Sequence, residues 1–469
     1  MSRNNSAFSI GAIAQIDKVN KEHNLFNYLF SNLNTKNKQF IEYTKCLVQN
    51  KLEKDVSEHQ ILNVYPQETM EFLGFTKQPS ERTLYRVLDN LGEYKEIIDK
   101  KLLDFLSENN LLDETQYIDW SSAFFQGQKA ECAKYGYSRD HRPDKKQVNI
   151  GVIIGENYIP SVLTIQNGNV VDKIHLQKTL KMIEKVFKPG SLLVFDCGAN
   201  TKENKNKIIK MGYNYLTLIQ KKKTTYKKYV EIFRNGNKDK IVINELEYNC
   251  VKYKDEKNIK YIFFSNKKKK EQIRMRNKKF VKELKNNGKI LCKVKKGKEL
   301  KRLITEEGHI IIHGQLQKII GDMKNQYING IEGFFVLESS VDDDSKNILQ
   351  IYKNRDKTEK LIKALKDGLG LRPIRHTSDN AIAGKLFIAF LANLVICLTL
   401  KSASNRWKNK QPDIKLLKNI INCLTLTRIY QKAGLRITVL SNISQEICEI
   451  FGDFIKKYED NSIVYTNFT

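Results

Sequence analysis

YIDWSSAFF, residues Tyr117–Phe125, is where the chain changes character. Its aromatic and β-branched residues predict a strand. Two more strands are expected at QVNIGVII (Gln147–Ile154) and YIPSVLTIQ (Tyr158–Gln166). Amphipathic helix follows over Val170–Phe187. SLLVFD (Ser191–Asp196) then reads as a strand too apolar for a sheet edge. A helix at Lys202–Met211 and a strand at Tyr213–Ile219 complete the order β-β-β-α-β-α-β. Three meandering strands followed by alternation predict an α/β fold on a mixed sheet. Two acids stand out in it. Asp119 lies within the first strand. Asp196 ends the fourth and precedes Cys197-Gly198-Ala199-Asn200, a turn where a carboxylate at a strand's C-terminal end faces a cleft.

Towards the C-terminus, NILQIYKNRDKTEKLIKALKDG (Asn347–Gly368) reads as one helix of about six turns. Tyr352, Arg355, Glu359 and Lys366 fall within an arc of about 60° on it. Ile351, Ile362, Leu365 and Leu369 form an apolar stripe beside that arc. Ion pairs at helical spacing commonly decorate a solvated face. Here the tyrosine and glutamate border the apolar stripe instead of opposing it.

The spacing Y-x2-R-x3-E-x6-K resembles, residue for residue, the signature of a large group of prokaryotic insertion-sequence transposases of the DDE type. The resemblance covers roughly residues 70–400 and implies a ribonuclease-H-like catalytic core. It implies that Glu359 is the third catalytic carboxylate, with Asp119 and Asp196 as the first two. It implies that Tyr352, Arg355 and Lys366 hold DNA strands near the cut. Asn200 departs from the pattern, since many relatives carry another residue at that place.

Three carboxylates converging on a cleft need a counter-charge. Oxygen ligands with open positions suit Mg²⁺ or Mn²⁺. Two ions about 3.5–4 Å apart would serve phosphodiester attack, with Asp119 bridging them and Asp196 and Glu359 each holding one. The reaction the resemblance implies is hydrolysis at the element's terminal inverted repeats, followed by transfer of the 3′-hydroxyl ends into target DNA. A homodimer in the synaptic complex is the family expectation. Rival readings are a ribonuclease-H-like nuclease that cuts without joining and a catalytically silent DNA-binding derivative. A transcriptional regulator would need a sensor domain, and none is legible.

Residues 1–113 read as a helical domain that binds DNA ends. A candidate helix-turn-helix lies at 60–92: ILNVYPQETMEFLGF as the first helix and QPSERTLYRVLDNLG as the second. Ser80 is placed to cap the second. Leu84, Val87, Leu88 and Leu91 give it an apolar face, with Arg82 and Arg86 off that face. The catalytic core is expected over 114–220 and 339–402. Between these lies a β-rich basic insertion, 221–338, and a helical region closes the chain at 403–469. The segment from Lys221 to Arg302 holds 29 Lys or Arg against 9 Asp or Glu, an excess that favours phosphate contact irrespective of sequence. The turn GYSRDHRPDKKQ (Gly136–Gln147) crowds Arg139, His141, Arg142, Lys145 and Lys146 beside the presumed cleft. Arg139 and Arg142 are the DNA candidates there, and His141 reads as structural. Arg372, Arg375 and His376 are further candidates.

The composition agrees with a nucleic-acid partner. The 469 residues carry a net charge of +28, which points to a polyanion. The eight cysteines form no C-x-x-C pair, so a zinc site is not expected and free thiols in a reducing cytoplasm are. His309 and His313 flank a likely strand, not a helix turn, and are discounted as ligands. The N-terminus lacks the apolar run of a signal peptide. The longest apolar run, Leu386–Leu400 between Lys385 and Lys401, reads as a buried core helix and not a membrane span. Double-stranded DNA is the expected partner, in a prokaryotic cytoplasm beside the nucleoid.

Overall fold

The aromatic stretch forms strand β1 (Thr115–Phe124) in a computed structural model that describes residues 5–255, 258–286, 303–304, 310–312, 315–317, 325, 327–409, 412–430 and 436–459. Two units make up the chain. The first comprises Met1–Val194, Asn206–Tyr213 and Asn354–Thr469, and the second Phe195–Lys205 and Asn214–Lys353.

In the first unit β1 pairs antiparallel with β2 (Gln147–Gly155), and β2 with β3 (Pro160–Asn167). Strand β4 (Leu192–Phe195) returns parallel to β1, with Tyr117 opposite Val194, so the order is β3-β2-β1-β4. Phe195, the last residue of β4, counts with the second unit. Every residue of β2 is buried, and from Ile150 to Gly155 its sequence is an uninterrupted run of Ile, Val and Gly, as a doubly covered strand requires.

The apolar run lies within a 24-residue helix, Asp379–Ser402. By length and composition it could cross a membrane, yet 17 of its 24 residues are buried in this unit. It packs on the helix Glu81–Glu93. Ser80 caps that helix by accepting from the Thr83 amide at 3.3 Å, and Leu84, Val87, Leu88 and Leu91 are buried, as the periodicity predicts. The two helices touch through backbone. A methyl at Gly384 would sit 2.0 Å from the Leu88 carbonyl oxygen, and one at Gly92 would sit 2.1 Å from that of Asn380.

The ends of the chain differ from a purely helical reading. The helix expected over 61–75 is two short ones, Ile61–Val64 and Gln67–Phe72. Pro66 divides them: it lacks an N–H and forces Tyr65 into extended backbone. The helix from Ile414 stops at Asn422, and Thr425–Tyr430 and Arg436–Ser441 pair as antiparallel strands. Ser6–Ser9 adds to the first of these. From Thr425 to Ile429 half-buried and buried side chains alternate with period two, as a strand and not a helix places them. The last helix is Gln445–Phe451, capped by Ser444. A 3₁₀ segment, Gly452–Tyr458, follows it after Gly452 takes φ +58°.

The second unit is built on β5 (Asn214–Leu218), β6 (Asp239–Ile243), β7 (Leu246–Lys254), β8 (Ile259–Phe264) and β9 (Phe334–Ser339). All neighbours here are antiparallel, in the order β5-β9-β8-β7-β6. The strands of the basic insertion therefore extend the sheet to which β9 belongs. Three short strands, Leu303–Ile304, Ile310–Ile312 and Gln315–Gln317, form a separate small sheet. His309 and His313 lie outside the described residues. The basic helix Lys223–Asn235 turns Tyr226, Tyr229, Val230 and Phe233 onto Val251, Ile262, Phe334 and Val336. Its lysines leave that apolar face clear, so the charge sits on a folded element.

Candidate active site

Asp119 is the one partly accessible position between Gln116 and Ala123 of β1. Its neighbours Ile118 and Trp120 are buried at 0% and 3% exposure. Tyr117 and Ser121, which share the face of Asp119, are buried as well, at 0% and 4%. Asp119 Oδ1 accepts from the Trp120 amide at 2.9 Å, and Oδ2 accepts from Arg355 at 3.1 Å.

The stretch carrying Arg355 is not one helix, as its periodicity predicts. It forms a helix at Ser345–Lys353, a second at Asp356–Lys363 and a π-helical turn at Ala364–Gly368. The break has a local cause. The amides of Lys357 and Thr358 bond back three residues, to the Asn354 and Arg355 carbonyls, each at 3.0 Å. The Thr358 hydroxyl donates to the Arg355 carbonyl as well, at 2.6 Å. This competition tightens the turn at the expense of the α-helical ladder. Lys357 secures it: its buried ammonium donates to the Glu156 carbonyl at 2.9 Å and lies over the Tyr117 and Tyr158 rings. The common arc expected for Tyr352, Arg355, Glu359 and Lys366 assumed an unbroken helix and does not hold across these breaks.

Arg355 at the turn reaches two acids. Besides Asp119 it donates to Glu359 Oε1 at 2.9 Å. Its side chain is 15% exposed, that of Asp119 18% and that of Glu359 60%. The structure thus gathers Asp119, Arg355 and Glu359 in the first unit. Asp196 belongs to the second unit. It caps the 3₁₀ turn Cys197–Ala199, accepting from the Cys197 amide at 2.7 Å, and accepts from the Tyr352 hydroxyl at 3.4 Å.

Lys366 lies on the π-helical turn and is buried. Its ammonium is 2.7 Å from Asp140 Oδ1. Burial pulls its pKa below the ordinary lysine value, and the ion pair with Asp140 opposes that. Asp140 is not among the loop residues that the sequence marks as candidates, yet its carboxylate is 1% exposed. It also accepts from Arg372 at 2.6 Å and from the Phe124 amide at 3.2 Å. The loop carries two acids, Asp140 and Asp144, and only packing distinguishes the buried one from the exposed one. Arg139 donates to both Asp172 oxygens, at 2.6 and 2.8 Å, and Arg142 pairs with Asp144 at 2.8 Å. Arg82 and Arg86 are exposed on the helix Glu81–Glu93.

Among the described residues no group of three or more His, Cys, Asp or Glu is gathered as a metal site. The donor chemistry nonetheless fits a hard cation. Asp119 and Glu359 present carboxylate oxygens, and the Arg355 guanidinium supplies positive charge to both of them here.

A family model described as the Transposase DDE domain matches residues 112–394, a span that contains Asp119, Asp196, the tyrosine–arginine–glutamate–lysine set and Asp140. Among solved structures, the cryo-EM structure of the piggyBac transposase synaptic complex with hairpin DNA aligns at a TM-score of 0.43 and 10% identity. The alignment covers 88% of this chain and 78% of that one. No curated protein sequence matches significantly.

Proposed function

The chain belongs to the Transposase DDE domain family, and from that premise we propose that it is the DNA transposase of an insertion sequence. It cleaves at terminal inverted repeats and transfers the freed 3′-hydroxyl ends into target DNA. The observation that carries this reading is the pairing of Asp119 and Glu359 at one guanidinium. Two carboxylates directed at one positive charge make an anionic locus that favours a cation.

Asp119, Asp196 and Glu359 are the residues that would hold Mg²⁺ or Mn²⁺. When bound, such ions activate a water or 3′-hydroxyl and stabilise the leaving oxygen. The rest falls to the protein's own side chains. Arg355 balances the acids and has the donor geometry for a phosphate oxygen. Tyr352 orients Asp196 through its hydroxyl. The Asp140–Lys366–Arg372 cluster ties the π-helical turn to the loop bearing Arg139 and Arg142. The exposed Arg82 and Arg86, with the basic helix Lys223–Asn235 of the second unit, contact phosphates. Two DNA ends held together call for two copies of the chain.

The test is cleavage of a labelled duplex bearing the element's own terminal repeat, in Mg²⁺, in EDTA and with Glu359→Gln protein. Metal-dependent nicking at the repeat boundary is expected, lost in the variant while DNA binding survives. Nicking without joining to a target would leave a nuclease. Binding without cutting in Mg²⁺ or Mn²⁺ would leave a silent DNA-binding derivative.

A further inference from the structure

The segment between β1 and β2 is tied down along its length. The Cys132 amide donates to the Asp379 carboxylate at 3.1 Å. Lys134 and Gln147 exchange backbone bonds at 3.1 and 2.9 Å. Gly136 packs so closely on Gly168 that a methyl there would meet its carbonyl oxygen at 2.1 Å. The Arg139 amide donates to Ser122 Oγ at 2.9 Å, and the Asp140 carboxylate is clamped by Lys366 and Arg372. A segment held this firmly has the means to bury its large side chains.

It leaves two of them in water. Tyr135 is 62% exposed and Tyr137 82%. They stand two apart in sequence, on either side of Gly136. The Arg139 guanidinium, fixed by Asp172, lies 5.9 Å from the Tyr137 ring centroid. Lys134 and Lys146 are exposed on the flanks. Rigid aromatic faces edged by fixed positive charge match the chemistry of unpaired nucleobases: the rings stack on bases of any sequence, and the cations meet the backbone.

We propose that Tyr135 and Tyr137 form a stacking platform for unpaired DNA bases. This rests on the DNA-binding reading above and assigns to the loop the unpaired strand beside a duplex. The platform is preorganised, since the backbone of Lys134 and of Arg139 on either side of it is already bonded to the fold and two-torsion tyrosines lose little freedom on binding.

The test measures binding of two fluorescent probes: a blunt duplex of the terminal repeat, and the same duplex with a three-nucleotide single-stranded extension. The wild-type protein is expected to favour the extended probe by about tenfold, given the usual strength of base–aromatic stacking. Tyr135→Ser/Tyr137→Ser protein should bring the ratio of the two affinities close to one, and Tyr135→Phe/Tyr137→Phe should preserve it. The rings are exposed, so thermal melting should not separate the variants from wild type. A serine variant that keeps the preference overturns the proposal, as does a wild-type protein that binds both probes equally. A change of oligomeric state in the serine variant would make the face a contact between copies and overturn it too. If the wild type binds neither probe, the DNA reading fails and the platform with it.

Discussion

Arg355 donates to Asp119 at 3.1 Å across 236 residues of sequence. That bond brings the turn between two helices onto the middle of a buried strand, and Glu359 joins the same guanidinium from the next turn of helix. Removing the arginine leaves two acids near each other without this counter-charge. Arg355→Gln protein is therefore expected to lose about 1–3 kcal/mol of stability, as for a partly buried group deprived of its partner. Mg²⁺ or Mn²⁺ should restore part of that loss, because a cation that binds only the folded state stabilises it. Thermal unfolding with and without metal measures both. Equal melting of variant and wild type in EDTA would refute the expectation.

Asp140 should prove more sensitive than any arginine on its loop. Asp140→Ala leaves the buried Lys366 and the partly buried Arg372 without their shared carboxylate, a loss expected to cost about 3–5 kcal/mol. Arg142→Ala removes an exposed pair with Asp144 and should leave stability unaltered. Urea unfolding of the two variants should rank them in that order.

His175 sets an acid limit. It is buried beside Trp120, 2.8 Å from the Thr164 hydroxyl. Burial lowers its pKa to about 3, with Lys178 and Arg139 adding to the shift. A depressed folded pKa favours the neutral ring. The stability linked to His175 is then fully present above about pH 6.5 and is lost as pH falls from there towards 3. His175→Gln protein should show a shallower fall in stability across that window than wild type, measured by denaturant unfolding at several pH values. Parallel curves would show that the ring is protonated alike in both states.

Arg82 and Arg86 should act through charge alone. Both are exposed, so Arg82→Gln/Arg86→Gln protein should melt as wild type does. If each arginine meets one phosphate, the slope of log affinity against log salt should become shallower by about 2. Loss should be similar for repeat and unrelated duplexes if the contacts are to phosphate, and selective for the repeat if they reach bases.

Much of this was legible in the chain because it rests on local pattern. The Val- and Ile-rich stretch over 147–154 forces a doubly buried strand, Ser80 with its apolar periodicity forces a capped helix, and the fifteen-residue apolar run forces a core helix. Each is a preference that neighbouring residues express without distant help. The acids at 119 and 196 and the arginine, glutamate and lysine downstream were readable too, by identity and order along the chain.

What each of those side chains meets was not readable, because it depends on residues hundreds of positions away. Lys366 looks like a surface cation in its own segment, and only packing against Asp140 buries it. The helix 347–368 looks continuous by period, and Lys357 reaching into the fold for the Glu156 carbonyl accompanies the break at Arg355. The basic insertion declares its charge and its strands, while β8 finding β9 turns it into an extension of an existing sheet. Composition and periodicity are properties of neighbours in sequence and fix the elements, their charge and their chemistry. Ion pairs, sheet order and buried hydrogen bonds join residues far apart in sequence and exist only once loop closure has brought them together.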